Sequence, residues 1–419
     1  MRYRVDTRSL SRYDMSRFRY KKEEEQMAKD SSVGYSSGKF SLLMGGYYAL
    51  QVLCLSYLAE FLISFGYAEG FIGIVLTAES ISSMATMLLF GYLTDKYSNP
   101  KLLIVLVVSV YTALQVLLFF FSASKAFIII FALFGLGTLI SAAGIVDSWV
   151  IKAQEQDPSL DYSKIRSVGS ITFGVVSLLT GIMISRFSHR SAIFIAIIGA
   201  VMIILPALRL RNPVIGGSEG SVSIVEGSKV LFRNRGFMLI VLCCFIFSLS
   251  DLSFANYYAV MMNNVGGTTT QLGIGLFVMC VAEFAAMYFL SDIAKKISLR
   301  KIMAFGLLGF FLRSFISSFA KTPLSLILVT ILQAISFAIA IPACTMLISE
   351  IIEFRYQATA IQLFQMAIVT GSMIFNTPIG FIAEKYGIMQ MIRLASLGAL
   401  TSFVIFVVFS KKLIPDSRA

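Results

Sequence analysis

Histidine and usefully spaced cysteine are almost missing from this chain. His189 is the only histidine in 419 residues, and no clustered set of histidine and aspartate exists that a metal ion could use. The cysteines number five, Cys54, Cys243, Cys244, Cys280 and Cys344. All fall inside apolar runs, so they are read as packing groups and not as a disulfide framework or a metal site. Charge is also scarce, at 14% of residues against 57% hydrophobic, a balance that ordinary soluble domains do not show. No phosphate-binding loop of the Walker type, no nucleophile motif and no appended catalytic domain can be picked out, which leaves ATP-driven and enzymatic readings without residues to carry them. No cofactor is expected. A short apolar segment with a small-residue cleavage site is likewise missing from the first residues.

What the chain has instead is length in its apolar runs. Stretches of about 20 apolar residues, enough to cross about 30 Å of hydrocarbon as helix, recur twelve times. Their spans are 40–66, 71–94, 102–122, 126–151, 165–187, 191–209, 236–262, 271–291, 301–320, 323–350, 357–382 and 389–410. A β-barrel would alternate polar and apolar residues, and these runs do not. The expected fold class is therefore an all-α polytopic membrane protein. Residues 211–235 (RNPVIGGSEGSVSIVEGSKVLFRNR) form the one long polar interruption and divide the helices six and six. The organisation expected is a polar cytoplasmic tail at 1–39, too polar to bury a core, a six-helix bundle at 40–210, a cytoplasmic loop at 211–235, a second bundle at 236–412 and a short tail at 413–419.

The net charge of +12 invites a nucleic-acid reading, but the basic residues sit in every second loop. With a cytoplasmic N-terminus, the inner segments collect 28 of the 35 lysines and arginines, among them Lys96, Lys101, Lys152, Lys164, Lys295, Lys296, Lys411 and Lys412. The charge thus sets orientation in a cell membrane, with both termini inside, and indicates the bilayer, not nucleic acid, as partner. A monomer is expected.

The halves echo each other. GYLTDKYSNPK (Gly91–Lys101) after the second helix has a counterpart in YFLSDIAKKISLRK (Tyr288–Lys301) after the eighth, each an aspartate near a helix end followed by basic residues. The first copy resembles the loop signature of the major facilitator superfamily, with Gly91, Leu93 and Asp95 in place and Ser98 departing from it. The resemblance implies a fold of two six-helix bundles, with Asp95 and Asp292 in the gating loops.

Ionised residues inside the runs are the sharper clue, because each costs about 3 kcal/mol or more at the bilayer centre unless it faces protein or water. They are Glu60, Glu79, Asp147, Arg166, Asp251, Glu283, Arg313 and Glu350, with Arg393 expected to snorkel at the start of the last helix. Asp147 and Arg166 belong to the hairpin of helices four and five, near its cytoplasmic end. Together they can accept from and donate to hydroxyl groups, which suits a neutral polyhydroxy solute. Phe173 lies two turns beyond Arg166 on the same face and can offer an apolar ring to a sugar. Glu60 and Glu79 have no role that the pattern assigns. His189, between Arg186 and Arg190, reads as a solvated loop residue. Gly135, Gly137, Gly144 and Gly371 read as sites of close helix approach, and Pro342 and Pro378 as kinks in helices ten and eleven.

The run Tyr162-Ser-Lys164-Ile-Arg166-Ser-Val-Gly169-Ser170-Ile-Thr-Phe173 resembles the start of helix five in the lactose permease group of oligosaccharide/proton symporters. There the matching arginine and an acidic residue on helix four form the heart of the sugar site. Asp251-Leu-Ser-Phe254-Ala255-Asn256-Tyr257, Glu283 in CVAEFAAMYF, and Arg313 in LRSFISSFA resemble that group's motifs on helices seven, eight and nine. The resemblance implies a solute site of Asp147, Arg166, Phe173, Glu283, Asn256 and Gln333, and proton coupling through Glu283, Arg313 and Asp251. Helix ten departs: Gln333 and Ser336 stand where the group has its histidine and its proton-exchanging glutamate, and Thr330 replaces the lysine that partners the helix-seven aspartate. Asp251 is left without that partner, and Glu283, Asp251 or Glu79 must carry any proton. The expected function is secondary transport of a sugar or glycoside by alternating access, with a proton as co-substrate. An uncoupled uniporter and a drug exporter, which 36 phenylalanines and 19 methionines would permit, are the rivals.

Overall fold

The computed structural model describes residues 35–97, 99–213 and 224–414. The expected cytoplasmic tails fall mainly outside these residues, as do the side chains of Asp95 and Asp292. Twelve long helices follow in order: α1 (Ser37–Ser64), α2 (Glu69–Tyr97), α3 (Pro100–Phe120), α4 (Lys125–Gln156), α5 (Tyr162–Phe187), α6 (Ala192–Arg209), α7 (Arg235–Asn264), α8 (Thr269–Lys296), α9 (Leu299–Ser317), α10 (Pro323–Ile351), α11 (Phe354–Tyr386) and α12 (Ile388–Leu413). Eleven are long and apolar enough to cross a membrane. The remaining one, α9, has 19 residues and carries Arg300, Lys301 and Arg313. The polar interruption holds a short helix, Ile224–Leu231, that the polar composition there did not reveal.

Local chemistry starts several helices where the loops end. Asn99 accepts from the Leu102 backbone N–H with Pro100 in the first turn of α3, and Thr268 with Gln271 forms a capping box on α8. Asp161 caps α5 by accepting from the Lys164 N–H at 3.2 Å, and that bond, with Lys164 beside it, holds its carboxyl below the usual carboxylate range.

Three helices are broken, and the breaks position polar groups. α1 interrupts at Ser56–Tyr57, and α4 contains a π turn at Ala132–Leu136 before its last segment, Ala143–Gln156, which carries Asp147. In α10 a tight turn at Thr330–Ala334 separates Pro323–Val329 from Phe337–Ile351. The kink expected at Pro342 is therefore displaced to the start of its segment; Pro342 itself lies within continuous helix, as does Pro378 in α11. Gly309 on α9 lets the broken backbone at Ile335 approach closely.

Helices α1–α6 and α7–α12 form two bundles, each with buried apolar packing, that meet along α2–α11 and α5–α8. An even number of crossings puts both chain ends on one face, the terminal face. The seam is tightest toward the opposite, distal face. There Thr77 and Thr377 hydroxyls lie 2.7 Å apart, Ser80 and Ser372 hydroxyls 2.8 Å apart, and the Gly70 N–H donates to Glu384 at 3.1 Å. A methyl on Gly73 would meet the Asn376 carbonyl, and Gly181 packs against Thr269 and Gly273 across the second seam. Gly137 and Gly371 do sit in close helix contacts, whereas Gly144 has nothing within 4 Å, so its expected packing role is corrected.

Candidate functional site

Side chains from both bundles converge where α4, α5, α8 and α10 face one another. Asp147 on α4 and Arg166 on α5 meet at 3.7 Å (Oδ1 to Nε), with their side chains 31% and 35% exposed. That exposure decides what the pair can do: it is loose and wet, so either group can exchange its partner for a ligand at small cost. The Arg166 guanidinium lies 4.5 Å from the centre of the Tyr48 ring, an arrangement that holds a cation without using up its N–H donors. The Tyr162 side chain lies beside both charges.

A second charged group lies in the C-terminal bundle and is dry. Arg313, 1% exposed, donates to Asp251 at 2.8 Å and to the Gln333 carbonyl oxygen. Its guanidinium packs 4.3 Å from the Phe254 ring centre and 5.2 Å from that of Phe310, and its Nε has no partner. Asp251, which lacks the helix-ten lysine of the resembled group, is thus paired all the same. The missing lysine of helix ten is replaced in space by an arginine from helix nine, because the tight turn in α10 swings Gln333 in to brace that guanidinium.

Glu283 stands between the two groups. It lies beside Gln333 and feels the charges of Asp251, Arg166 and Arg313. Asn256 points the other way and donates to Asn376 on α11 at 3.2 Å. Phe173 is partly buried and packs against the larger apolar cluster, which draws on both bundles. Gly91 is exposed with nothing close, and α2 continues as helix past Asp95 to Tyr97. Glu350 is exposed in the last turn of α10, not inside the bundle.

The sequence profile of the MFS_1 like family matches residues 42–375. The chain belongs to that family, within the major facilitator superfamily. It is 26% identical over 212 residues to the uncharacterized transporter YwbF of Bacillus subtilis (strain 168), which is 50% of this chain and 52% of that protein; the match thus spans about half of YwbF. It is 22% identical over 351 residues to the maltose permease of Geobacillus stearothermophilus, covering 81% and 86%. Among solved structures it shares the fold of the nucleoside transporter NupG, with a TM-score of 0.74 at 14% identity over 90% of this chain and 99% of that one. It also shares the fold of a D-xylose-proton symporter, with a TM-score of 0.66 at 12% identity over 91% and 98%. The protein is a major facilitator transporter.

In this transporter several site residues escaped the sequence reading. Tyr48 and Tyr162 are ordinary tyrosines until the fold sets them against Arg166; only the Tyr-Tyr pair after Gly45-Gly46 marked the spot. His189 is not a solvated loop residue: its Nε2 lies 2.7 Å from Glu60, whose other oxygen accepts from Thr269 on α8 at 2.8 Å. Glu60 therefore ties α1 and the α5–α6 turn to the opposite bundle at the distal face, beside a cavity of about 230 Å³. Arg393 is anchored, with Nε 3.4 Å from the Ser318 hydroxyl and its guanidinium over Phe319.

Proposed function

We propose that this transporter moves a sugar or glycoside across the cytoplasmic membrane by alternating access, with a proton as co-substrate, and belongs to the lactose permease-like group. The observation that carries the reading is the wet Asp147–Arg166 pair facing Glu283 across the two bundles. It offers both acceptors and charged donors to a ligand with many hydroxyl groups. The motifs on helices five, seven, eight and nine support the group, and the names of the maltose permease and the xylose symporter agree with the solute class.

Sidedness follows from charge. The terminal face carries the basic loops, so it faces the cytoplasm by the positive-inside rule. A molecule joined along its distal seam is then closed to the outside and holds its solute site toward the cytoplasm. Transport requires the distal seam to part as the terminal side closes.

The test is uptake of radiolabelled maltose, xylose and uridine into proteoliposomes, with and without an inward proton gradient. Gradient-stimulated uptake of a sugar is expected; uptake of uridine alone would replace sugar by nucleoside as the solute. The seam provides a second prediction. With hydroxyls 2.7 Å apart, the double variant Thr77→Cys/Thr377→Cys is expected to cross-link on mild oxidation. Uptake should then fall at least about tenfold and return with reductant. Uptake that survives complete cross-linking would show that the distal seam does not open.

A further inference from the structure

The resemblance left three carboxylates as carriers of a coupling proton, and the structure separates them. Asp251 is held by Arg313 at 2.8 Å, and Glu283 lies beside Gln333 in the field of two arginines. Asp147 is paired with Arg166, and Glu60 is bonded to the His189 ring. Glu79 differs. It lies ten residues into α2, about 15 Å from the distal end at 1.5 Å per residue and so near the middle of a bilayer. Its side-chain contact is the Ser80 hydroxyl at 3.1 Å, and among the described residues no lysine, arginine or histidine is paired with it.

Resting on the transport reading above, we propose that Glu79 is the proton-binding residue of this transporter. Its neighbours are suited to a neutral acid and not to a fixed anion. Cys54 on α1, close to Tyr111 on α3, lies near it on the side of the bundle interior. Along α4 the charged residues Lys125, Asp147, Lys152 and Glu155 lie in the terminal turns or toward the terminal face, and on α11 Arg355, Glu384 and Lys385 lie at the helix ends. Glu79 is partly buried; an uncompensated carboxylate largely withdrawn from water is costly, while the protonated acid needs only a hydrogen-bond acceptor.

The link to alternating access is the Ser80 hydroxyl. It touches Glu79 and, at 2.8 Å, Ser372 of the opposite bundle. Ser372 accepts from Asn376 at 2.7 Å, and Asn376 accepts from Asn256. The group that solvates Glu79 is therefore part of the distal seam. When the seam parts, Ser80 loses Ser372 and water can reach the carboxylate from the distal side. There hydronium gives a proton to the Glu79 carboxylate and leaves water behind. After the seam closes, the acid returns the proton to water from the terminal side, so charge and atoms balance over the cycle.

The experiment compares wild type with Glu79→Gln and Glu79→Asp in proteoliposomes, using labelled maltose, xylose and uridine. Solute exchange without any gradient, accumulation under a proton or a sodium gradient, and internal pH by dye are measured together. For Glu79→Gln the ratio of proton-driven accumulation to exchange is expected to fall at least tenfold, with loss of the pH signal and partial recovery in Glu79→Asp. Infrared difference spectra of the purified protein should show a protonated-carboxyl band in wild type that Glu79→Gln lacks, a readout that holds even where the variant transports poorly. Proton-driven accumulation preserved in Glu79→Gln, or accumulation driven by sodium and not by protons, overturns the assignment while leaving transport intact. A wild type that exchanges none of the three solutes overturns the transport reading itself.

Discussion

Asp147→Asn and Arg166→Lys are each expected to reduce sugar uptake by at least about thirtyfold while the protein remains folded in the membrane. The size follows from what each change removes. A hydrogen bond to a charged group contributes about 2 kcal/mol, and each 1.4 kcal/mol is about tenfold in affinity. Lysine keeps the charge of Arg166 but loses the planar fork that can serve a ligand, Tyr162 and Asp147 at once. It also loses the flat face stacked on Tyr48. Stability should change little, since the pair is about one-third exposed and 3.7 Å apart, and pairs of that kind contribute about 0–1 kcal/mol. The check is uptake set against melting temperature in detergent for the same preparations. Normal uptake by either variant would remove the pair from the solute site.

The opposite pattern is expected at Asp251. Asp251→Asn takes the counter-charge from a guanidinium that is 1% exposed, and uncompensating a buried ion pair costs about 3–5 kcal/mol. A large drop in melting temperature should result. The double variant Asp251→Asn/Arg313→Gln should regain much of it, because neutral amides can bond to Gln333 and leave no buried charge. If Asp251→Asn melts with wild type, the pair is not the brace described here. The two ion pairs thus differ in physical role: one is wet and exchangeable, the other dry and structural, although composition presents them as alike.

How far the site could be read in advance depends on the kind of signal. Asp147 and Arg166 were visible as charges in apolar runs, and the motif around Tyr162–Phe173 placed them on neighbouring helices. The partner of Asp251 was not visible. Nothing in one dimension says that a tight turn at Thr330–Ala334 carries Gln333 toward α9, since that turn contains no proline or glycine. His189 was misread for a related reason. A histidine flanked by two arginines in a short turn has the composition of a solvated loop, and only the return of α1 beside that turn brings Glu60 within 2.7 Å. Gly144 shows the converse, a small residue that fits a packing pattern yet borders open space.

By itself the sequence determined the membrane class and the twelve apolar runs in two halves, because these depend on summed hydropathy and on polar residues counted along the chain. Both quantities are additive, so order in space does not alter them. Which carboxylate meets which cation, which is wet, and that Glu79 meets none were decided only by the tertiary structure. Such pairings depend on distances of a few ångströms between residues 19 to 129 positions apart, and these distances are set by helix breaks and by glycines that let backbones touch.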